Sequence, residues 1–355
     1  MVKLLSVIIP TYNMELYLRR CLDSLLVSDE NLALLDVLII NDGSSDGSSA
    51  IGHSYESDYP GTFRVIDKDN GNYGSCINRG LKEARGKYVR ILDADDYYHT
   101  EHLNQFVNML KDTDVDLVLS DMVSVYANGN KIRHSFGFGS DVIYDTKLLG
   151  QDEFMNKMEM HHITYKKAVL DSVEYRQTEG ISYTDQEWTF YPMPGVRTIV
   201  YFPEIIYEYM LDREGQTMNL EVELKRVGQK MIIARRMIDY LKEWHYDDLP
   251  SKNYLACRLS RFLRLIYKQV LLYQSDEQYL SHKDELIALD KKVNHDLPSL
   301  YDEASAFVIS SEIPLKFVKY WRDNGCRYHR LVLKLHKRLK SLDIYLRKLH
   351  IRKRL

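Results

Sequence analysis

The segment Lys87-Tyr88-Val89-Arg90-Ile91-Leu92-Asp93-Ala94-Asp95-Asp96 joins a short apolar run to three carboxylates within four positions. Such a run predicts a buried strand, so the acids lie at its carboxyl end. Two like charges ~4 Å apart repel by roughly 1 kcal/mol in water and about 4 kcal/mol at an effective dielectric of 20. A divalent cation relieves that repulsion, and the segment therefore indicates a metal site. The alternative is a polar turn in which Asp95 or Asp96 caps the helix predicted to begin near Thr100.

Three further apolar runs lie upstream, and each ends in a polar loop. They are 4–9 before Pro10-Thr11-Tyr12-Asn13, 36–40 before Asn41-Asp42-Gly43-Ser44-Ser45-Asp46-Gly47, and 63–66 before Asp67-Lys68-Asp69-Asn70-Gly71-Asn72-Tyr73-Gly74. Helical patterns follow the loops, and this alternation predicts a mixed, mainly parallel sheet flanked by helices, an α/β fold of Rossmann-like type. Ligands bind such sheets at the carboxyl ends of the strands. The side chains that would converge there are those of Tyr12, Asp42, Asn70, Asp93 and Asp95.

The chain has 355 residues, more than one hydrophobic core commonly serves. Glycine becomes rare after about residue 219, and helical patterns cover residues 221–245, 252–274 and 300–320. We therefore expect an α/β domain over residues 1–218 and an all-helical C-terminal region over residues 219–355. Within the first domain, residues 123–132 are predicted to form a hairpin around the Asn128-Gly129 turn.

Residues 327–355 form a strongly basic segment. They hold 11 Lys and Arg against one acid, Asp343, and removing that +10 from the formal −3 of the chain leaves −13 for residues 1–326. Leucines recur in the segment at helical spacing. A basic amphipathic helix of this kind can lie on an anionic membrane. The alternatives are packing against the acidic remainder of the chain and dimerisation through this helix. Nucleic acid is not an expected partner, because no zinc spacing or RNA-binding motif accompanies the charge.

The cysteines indicate the compartment. Cys21, Cys76, Cys257 and Cys326 show neither pairing nor metal-ligand spacing, and no secretory leader is recognised. No stretch approaches the ~18 consecutive apolar residues of a membrane span. We expect a cytoplasmic protein that is peripheral to the inner face of the membrane if the basic segment binds lipid.

The motifs, taken in order, resemble those of the family 2 glycosyltransferases with the GT-A fold. The resemblance rests on Pro10-Thr11-Tyr12-Asn13, Asn41-Asp42-Gly43-Ser44-Ser45-Asp46, the segment 70–81, Leu92-Asp93-Ala94-Asp95-Asp96, Tyr183-Thr184-Asp185-Gln186-Glu187-Trp188 and Asp212-Arg213-Glu214-Gly215-Gln216. It covers residues 1 to about 218, which would then be the catalytic domain.

The resemblance implies roles for particular residues. Tyr12 would pack on the nucleotide base of a sugar donor, and Asp42 would hydrogen-bond that base. Asp93 would approach the ribose and the diphosphate, while Asp95 would ligate Mg²⁺ or Mn²⁺ bound to the diphosphate. The further positions expected to bind the nucleotide sugar are Pro10, Thr11, Asn70, Gly71, Ala94 and Arg213.

By the same resemblance, Asp185 is the base that takes the proton from the acceptor hydroxyl, with inversion at the anomeric carbon. Relatives often carry Glu-Asp where this chain has Thr184-Asp185, so Glu187 stays a competitor for the role. His161 and His162 lie between the acidic motif and Asp185, where either could contact the acceptor or the donor sugar. Simple packing of this pair is the alternative, because two histidines without further ligand spacing are a poor zinc signature.

The sequence thus predicts a metal-dependent, inverting glycosyltransferase. Its donor would be a nucleotide sugar, most simply a UDP-sugar, and its acceptor a glycan or lipid-linked hydroxyl in surface polysaccharide or glycoconjugate synthesis. A nucleotidyltransferase is a rival enzyme, but no glycine-rich, lysine-bearing phosphate loop supports it. A non-catalytic sugar-nucleotide-binding scaffold is a rival of another kind, and it would have no need of Asp93, Asp95 and Asp185 together.

Overall fold

The computed structural model describes residues 2–140, 142–211, 220–245, 249–311 and 313–327. The chain divides into two compact units. The first comprises residues 1–216 and 244–258, and the second residues 217–243 and 259–355. That residues 1–218 form the catalytic domain stays a prediction.

The first unit is built around a single mixed sheet. Its strands are β1 (Leu5–Thr11), β2 (Leu35–Asn41), β3 (Phe63–Asp67), β4 (Tyr88–Ile91), β5 (Tyr97–Tyr98), β6 (Leu117–Val125), β7 (Lys131–His134), β8 (Ile163–Lys166) and β9 (Ile199–Met210). Its helices are α1 (Leu18–Asp23), α2 (Asp29–Leu32), α3 (Ser48–Asp58), α4 (Asn72–Glu83), α5 (Thr100–Lys111), α6 (Asp152–Lys157), α7 (Lys167–Ser172) and α8 (Asp185–Trp188).

The strands follow the order β3-β2-β1-β4-β8-β6-β9-β5, and β7 pairs with β6. Strands β3, β2, β1 and β4 are parallel, as are β6 and β9, whereas β8 runs antiparallel to both of its neighbours. Ile8 lies opposite both Leu38 and Ile91, so the carboxyl ends of β1, β2 and β4 meet at one edge. The predicted α/β class is confirmed, and this edge is where the polar loops gather.

Burial explains why these runs are strands. Every residue of β2 and β4 is buried, as expected of strands covered on both faces, and nearly all of β1 is buried as well. Helix α4 packs closely on the sheet, as Gly80 shows: a Cβ added there would stand only 2.5 Å from Ile8 Cγ2. The loops at the edge are therefore fixed to a rigid, close-packed support.

The predicted hairpin at residues 123–132 is confirmed. Strands β6 and β7 pair antiparallel, and Gly129 takes a φ of +84°, which glycine adopts without steric cost.

The second unit has its own core, which is mainly helical. Its helices are α9 (Leu220–Lys225), α10 (Val227–Lys242), α11 (Leu249–Lys268, shared with the first unit), α12 (Asp276–Asp296), α13 (Pro298–Ser305) and α14 (Phe317–Asp323). The Arg322 guanidinium pairs with the Asp290 carboxylate (2.6 Å), which also accepts a hydrogen bond from the Tyr267 hydroxyl. Because these partners lie on three helices, the pair fixes their relative orientation.

Two helix predictions hold and one is wrong. Helices α9 with α10 and α11 with the π-helical turn Gln269–Tyr273 correspond to the predicted segments 221–245 and 252–274. Residues 300–320 are not one helix, because the antiparallel strands β10 (Val308–Ser310) and β11 (Ile313–Lys316) interrupt them. Pro314 lies in β11, and proline in a helix interior removes a donor and clashes with the preceding turn. The described part of the C-terminal region is therefore mostly, rather than wholly, helical.

Helix α12 was not predicted. Its start carries a capping box in which the Ser275 side chain accepts from the Gln278 backbone and the Gln278 side chain accepts from the Ser275 backbone. The spacing Ser-x-x-Gln is a recognisable helix-start signal, so the sequence held the information. Among the described residues, no helix is both long enough and apolar enough to pass through a membrane.

Candidate active site

The loop after β2 places Asp42 in a fixed, buried position. Its carboxylate accepts hydrogen bonds from the Gly71 backbone N–H (2.9 Å) and from the Lys68 ammonium. Lys68 also donates to the Ser75 hydroxyl (2.9 Å), and the Asn70 side chain donates to the Asp42 carbonyl (3.0 Å). The loops after β2 and β3 are thereby joined into one polar surface.

The loop after β1 lies beside this surface. The Asp42 N–H donates to the Thr11 carbonyl (2.8 Å). Thr11 is itself buried, and its hydroxyl donates to the Ile9 carbonyl. Pro10 is half-buried at the end of β1, whereas the next residue after Thr11, Tyr12, is 50 % exposed. An exposed aromatic ring next to a buried carboxylate can stack on a planar ligand whose edge the carboxylate reads.

The loop after β4 carries the acids. Asp93 and Asp95 are half-buried, whereas Ala94 and Asp96 are buried. The Tyr73 hydroxyl of α4 donates to the Asp93 carboxylate (2.8 Å), and Arg20 donates to the Asp95 carbonyl (2.9 Å). This loop is therefore tied to both α4 and α1.

Asp96 is held by β9. The Tyr207 hydroxyl donates to one carboxylate oxygen (2.7 Å) and the Met210 N–H to the other (2.7 Å). Burial, and after it the charges of Asp95 and Asp93, raises the Asp96 pKa well above its ordinary value. The alternative of a helix cap is overturned, since the side chain that caps α5 is that of His99.

His161 and His162 point into different surroundings. His161 is half-buried and stacks on the Tyr209 ring, with centroids 4.6 Å apart, and its Nδ1 atom is shielded from solvent without a hydrogen-bond partner. His162 is buried, and its Nδ1 atom lies 2.7 Å from the Ser120 carbonyl. Burial lowers the pKa of each to about 3, so both rings are neutral at physiological pH.

His161 completes a set of ligand atoms. One ligand atom each from Asp93, Asp96 and His161 lie within 4.8 Å of one another. Carboxylate oxygens suit Mg²⁺ or Mn²⁺, and the unpartnered Nδ1 atom of His161 is the kind of atom that a transition metal such as Mn²⁺ would satisfy. The residues thus fit a divalent cation. The grouping contains Asp93 and Asp96 rather than the Asp95 expected from the motif, and the role of Asp95 stays a prediction.

The segment that carries Asp185 is tightly folded. Asp185 is half-buried and is the first residue of α8, which follows Thr184. Glu187 is fully buried, and its carboxylate accepts from both the N–H and the hydroxyl of Thr178 (2.6 Å each). Of the two competing carboxylates, Asp185 is the more accessible.

The charges of the acidic loop and of Asp185 act on the same two tyrosines. Burial, followed by the charges of Asp93 and then Asp185, raises the pKa of the Tyr73 hydroxyl. The pKa of the Tyr209 hydroxyl is raised in the same way, first by burial and then by the charges of Asp96, Asp93, Asp95 and Asp185. Tyr73 lies on the same helix turn as Ser75, which contacts Lys68 and through it Asp42, so the first turn of α4 links the polar surface around Asp42 to the acidic loop.

Four residues that contact the candidate site were not among the site residues predicted from the sequence. They are Lys68, Tyr73, Tyr207 and Tyr209. Lys68 and Tyr73 stand inside a loop that the sequence marked as polar, whereas the two tyrosines of β9 carry no local signal of their contacts with the acids. Arg213 and the rest of its motif lie outside the described residues.

Sequence comparison shows similarity to glycosyltransferases. The sequence model of glycosyl transferase family 2 matches residues 6–172. The chain is 42% identical over 97 residues to an uncharacterised glycosyltransferase, the MG025 homolog of Mycoplasma pneumoniae, covering 27% of this chain and 32% of that protein. It is 30% identical over 144 residues to the minor teichoic acid biosynthesis protein GgaB of Bacillus subtilis, covering 40% and 16%. Matches to the first relatives span about a third of those relatives' length.

Solved structures share the fold over most of the chain. TarS residues 1–349 of S. aureus in complex with UDP superposes with a TM-score of 0.67 at 19% identity, covering 91% of this chain and 88% of that one. The same protein in complex with UDP-GlcNAc gives a TM-score of 0.64 and covers 92% and 93%. The first unit therefore has the GT-A fold, and helices follow it in the second unit.

Proposed function

We propose that this chain, whose residues 6–172 match the sequence model of glycosyl transferase family 2, transfers a sugar from a nucleotide-sugar donor to an acceptor hydroxyl. The observation that carries the proposal is that the charges of Asp93 and Asp185 both act on the Tyr73 hydroxyl, while the same turn of α4 is linked to Asp42 through Ser75 and Lys68. This arrangement offers a base-binding end, a diphosphate position and a carboxylate for proton transfer.

The donor is a UDP-sugar in this proposal. Tyr12 would stack on the uracil ring while Asp42 accepts a hydrogen bond from its imide N–H. Lys68 and Gly71 hold that carboxylate in place before the base arrives, which limits the entropy lost on binding. Pro10, Thr11, Asn70 and Ala94 shape the loops around it, and Arg213 would contact the diphosphate. TarS, which shares the fold, binds UDP and UDP-GlcNAc.

The diphosphate would lie over the loop after β4. Asp93, Asp95, Asp96 and His161 are the side chains that would hold Mg²⁺ or Mn²⁺ there. When bound, the cation neutralises charge that develops on the leaving diphosphate, which favours the transition state over the ground state. Tyr73 and Tyr207 hold the carboxyl groups of Asp93 and Asp96 in place through hydrogen bonds.

Asp185 would accept the proton of the acceptor hydroxyl as that oxygen attacks the anomeric carbon, with inversion. A positioned carboxylate contributes roughly a hundred- to ten-thousand-fold to the rate. Glu187 is the weaker candidate, because both of its oxygens already accept from Thr178.

The acceptor in this proposal is a glycan or lipid-linked hydroxyl at the inner face of the membrane. The basic segment 327–355, which lies outside the described residues apart from Arg327, would hold the enzyme at anionic lipid. The match to a teichoic acid biosynthesis protein supports an acceptor of the surface-polymer type.

A panel of nucleotide sugars with Mn²⁺ tests the proposal without an acceptor, because such enzymes slowly transfer the sugar to water. We expect release of nucleoside diphosphate from one UDP-sugar, and loss of that release on chelation. Asp95→Asn should remove the metal-dependent rate. Asp185→Asn should lower it by about a hundredfold or more while UDP still binds.

Two outcomes would contradict the proposal. Release of pyrophosphate instead of nucleoside diphosphate would indicate a nucleotidyltransferase. Binding of UDP-sugars with no release from any member of the panel, with sugar acceptors present as well, would indicate a binding scaffold.

A further inference from the structure

The segment that carries Asp185 is docked on helix α4. We call residues 177–187 the Asp185 segment. The Asn78 side chain donates to the Gln177 carbonyl (2.8 Å) and accepts from the Gln177 N–H (2.8 Å), so one amide satisfies both backbone groups of a residue 99 positions away. The Gly180 N–H donates to the Gly71 carbonyl (3.0 Å) at the start of the same helix.

The contact is too close for any side chain at Gly74. A Cβ built there would stand 1.9 Å from the Thr178 carbonyl oxygen, so the backbone of the segment rests directly on the first turn of α4. The neighbouring residue on that turn is Tyr73, whose hydroxyl donates to Asp93. Helix α4 is thus the common support of the acidic loop and of the Asp185 segment.

The segment is also closed on itself. The Gln177 side chain donates to the Thr184 hydroxyl (2.9 Å), and the Glu187 carboxylate accepts twice from Thr178. These contacts join the start of the segment to its end, on either side of Asp185. Tyr183 is held at a φ of +65°, a conformation that a bulky residue keeps only where its surroundings impose it.

We propose that Asn78 and Glu187 are positioning residues for Asp185, which fix the place of its carboxylate relative to Asp93 by docking the Asp185 segment on α4. The inference rests on the proposed function. It reassigns Glu187 from a competing base to a support for the base. Displacing a catalytic group by about 1 Å costs on the order of a hundredfold in rate, so contacts remote from the acceptor can control turnover.

Glutamine at position 187 separates the two roles. The Glu187→Gln side chain can accept from the Thr178 N–H and donate to the Thr178 hydroxyl, so both contacts survive, but a neutral amide cannot take up a proton. Glu187→Ala loses both contacts, and Asn78→Ala loses the pair to Gln177. Arg79→Ala is the matched control, because it removes only an exposed ion pair to Glu83 on the same helix.

Steady-state transfer or hydrolysis of the UDP-sugar selected by the panel is measured for these variants and for Asp185→Asn, together with UDP affinity. We expect Asn78→Ala and Glu187→Ala to lower kcat by about ten- to a hundredfold with unchanged UDP affinity. Glu187→Gln should stay within about threefold of wild type, as should Arg79→Ala. A Glu187→Gln variant as inactive as Asp185→Asn would overturn the inference, as would a wild-type kcat for Asn78→Ala.

Amide hydrogen exchange of residues 177–187 needs no turnover and therefore separates this inference from the proposed function. Exchange should be faster in Asn78→Ala and Glu187→Ala than in wild type, and unchanged in Glu187→Gln and Arg79→Ala. Unchanged exchange in both alanine variants overturns the inference. A wild-type enzyme that releases no UDP from any donor overturns the proposed function, while the exchange comparison still decides whether these contacts hold the segment.

Discussion

Two buried carboxyl groups of the candidate site accept hydrogen bonds from residues that are distant in the sequence. Asp42 accepts from Lys68 and Gly71, and Asp96 accepts from Tyr207 and Met210. Burying a polar or charged group without such partners costs free energy, so each carboxyl group is stable only in the orientation that its donors define. In the proposed function, binding of a base or a cation at these positions would therefore require little rearrangement of the protein.

The proposed metal ligands give a prediction that does not depend on activity. His161→Phe should weaken Mn²⁺ binding in the presence of UDP by about tenfold or more, because the ring still stacks on Tyr209 but offers no nitrogen. The matched control is His162→Asn, whose amide can still donate to the Ser120 carbonyl outside the ligand group. Mn²⁺ titration followed by electron paramagnetic resonance measures both. Equal Mn²⁺ affinity in the two variants would show that His161 is not a ligand.

His53 gives a prediction for pH. Its ring nitrogens lie 2.9 Å from an Asp67 oxygen and 2.8 Å from a Glu56 oxygen, and these two hydrogen bonds raise the His53 pKa above its ordinary value. Both nitrogens donate only in the protonated ring. The stabilisation is present below the unfolded pKa of about 6.5 and is lost as pH rises through the raised folded pKa.

His53→Ala should therefore lower the free energy of unfolding more at about pH 5.5 than at about pH 9. Urea unfolding at the two pH values measures the difference. The effect should be small, because the side chain is about half exposed. A loss that is the same at both pH values would exclude the charged form as its source.

Helix α4 and strand β4 support the residues of the candidate site. The first turn of α4 contacts both the acidic loop and the Asp185 segment, and its Gly80 lies against β1. Strand β4 holds the buried Arg90, which donates to the hydroxyls of Ser120 and Thr164 (3.0 Å each) and to the His161 carbonyl. The same strand thus carries Asp93 at its end and orients the segment that presents His161.

Close packing at the start of β4 gives a prediction for stability. A Cβ at Gly86 would stand 2.4 Å from the Ser6 backbone nitrogen, so Gly86→Ala should destabilise the protein by roughly 1–3 kcal/mol. Gly150→Ala is the control, because a Cβ there meets nothing within 4 Å and its φ is not positive. Its effect should stay within about 0.5 kcal/mol. Thermal unfolding of the two variants checks the contrast, and equal melting temperatures would contradict it.

Charge is distributed very unevenly along the chain. Residues 327–355 carry a formal +10, and the other 326 residues carry −13. Such a polarity favours attachment of the basic segment to an anionic surface, and it equally allows contact with the acidic part of the chain or with a second copy. The three outcomes differ in whether lipid competes for the segment.

Flotation with vesicles that contain anionic lipid distinguishes them. We expect the full chain to float and a chain that ends at residue 326 to remain in the dense fraction, with the difference reduced at high salt. Neutral vesicles are the control. Equal recovery of the two proteins with anionic vesicles would remove the membrane role, and a change of oligomeric state on truncation would favour dimerisation instead.

The order of strands, loops and acids was readable from the sequence, because apolar runs, turn residues and clustered carboxylates are local features. The same features predicted the convergence of Asp42, Asp93 and Asp95 at one edge, since parallel strands share their carboxyl ends. The helix prediction for residues 300–320 failed because a single proline, Pro314, breaks a helix even where the surrounding residues favour one.

Only the tertiary structure decided which groups hold the site in place. The bonds from Tyr207 to Asp96 and from Asn78 to Gln177 join residues 111 and 99 positions apart. No pattern within either partner marks such a bond, because it depends on how the intervening elements pack and not on the composition of the two segments. For the same reason the burial of Glu187 and the solvent-shielded Nδ1 of His161 became visible only in the folded chain.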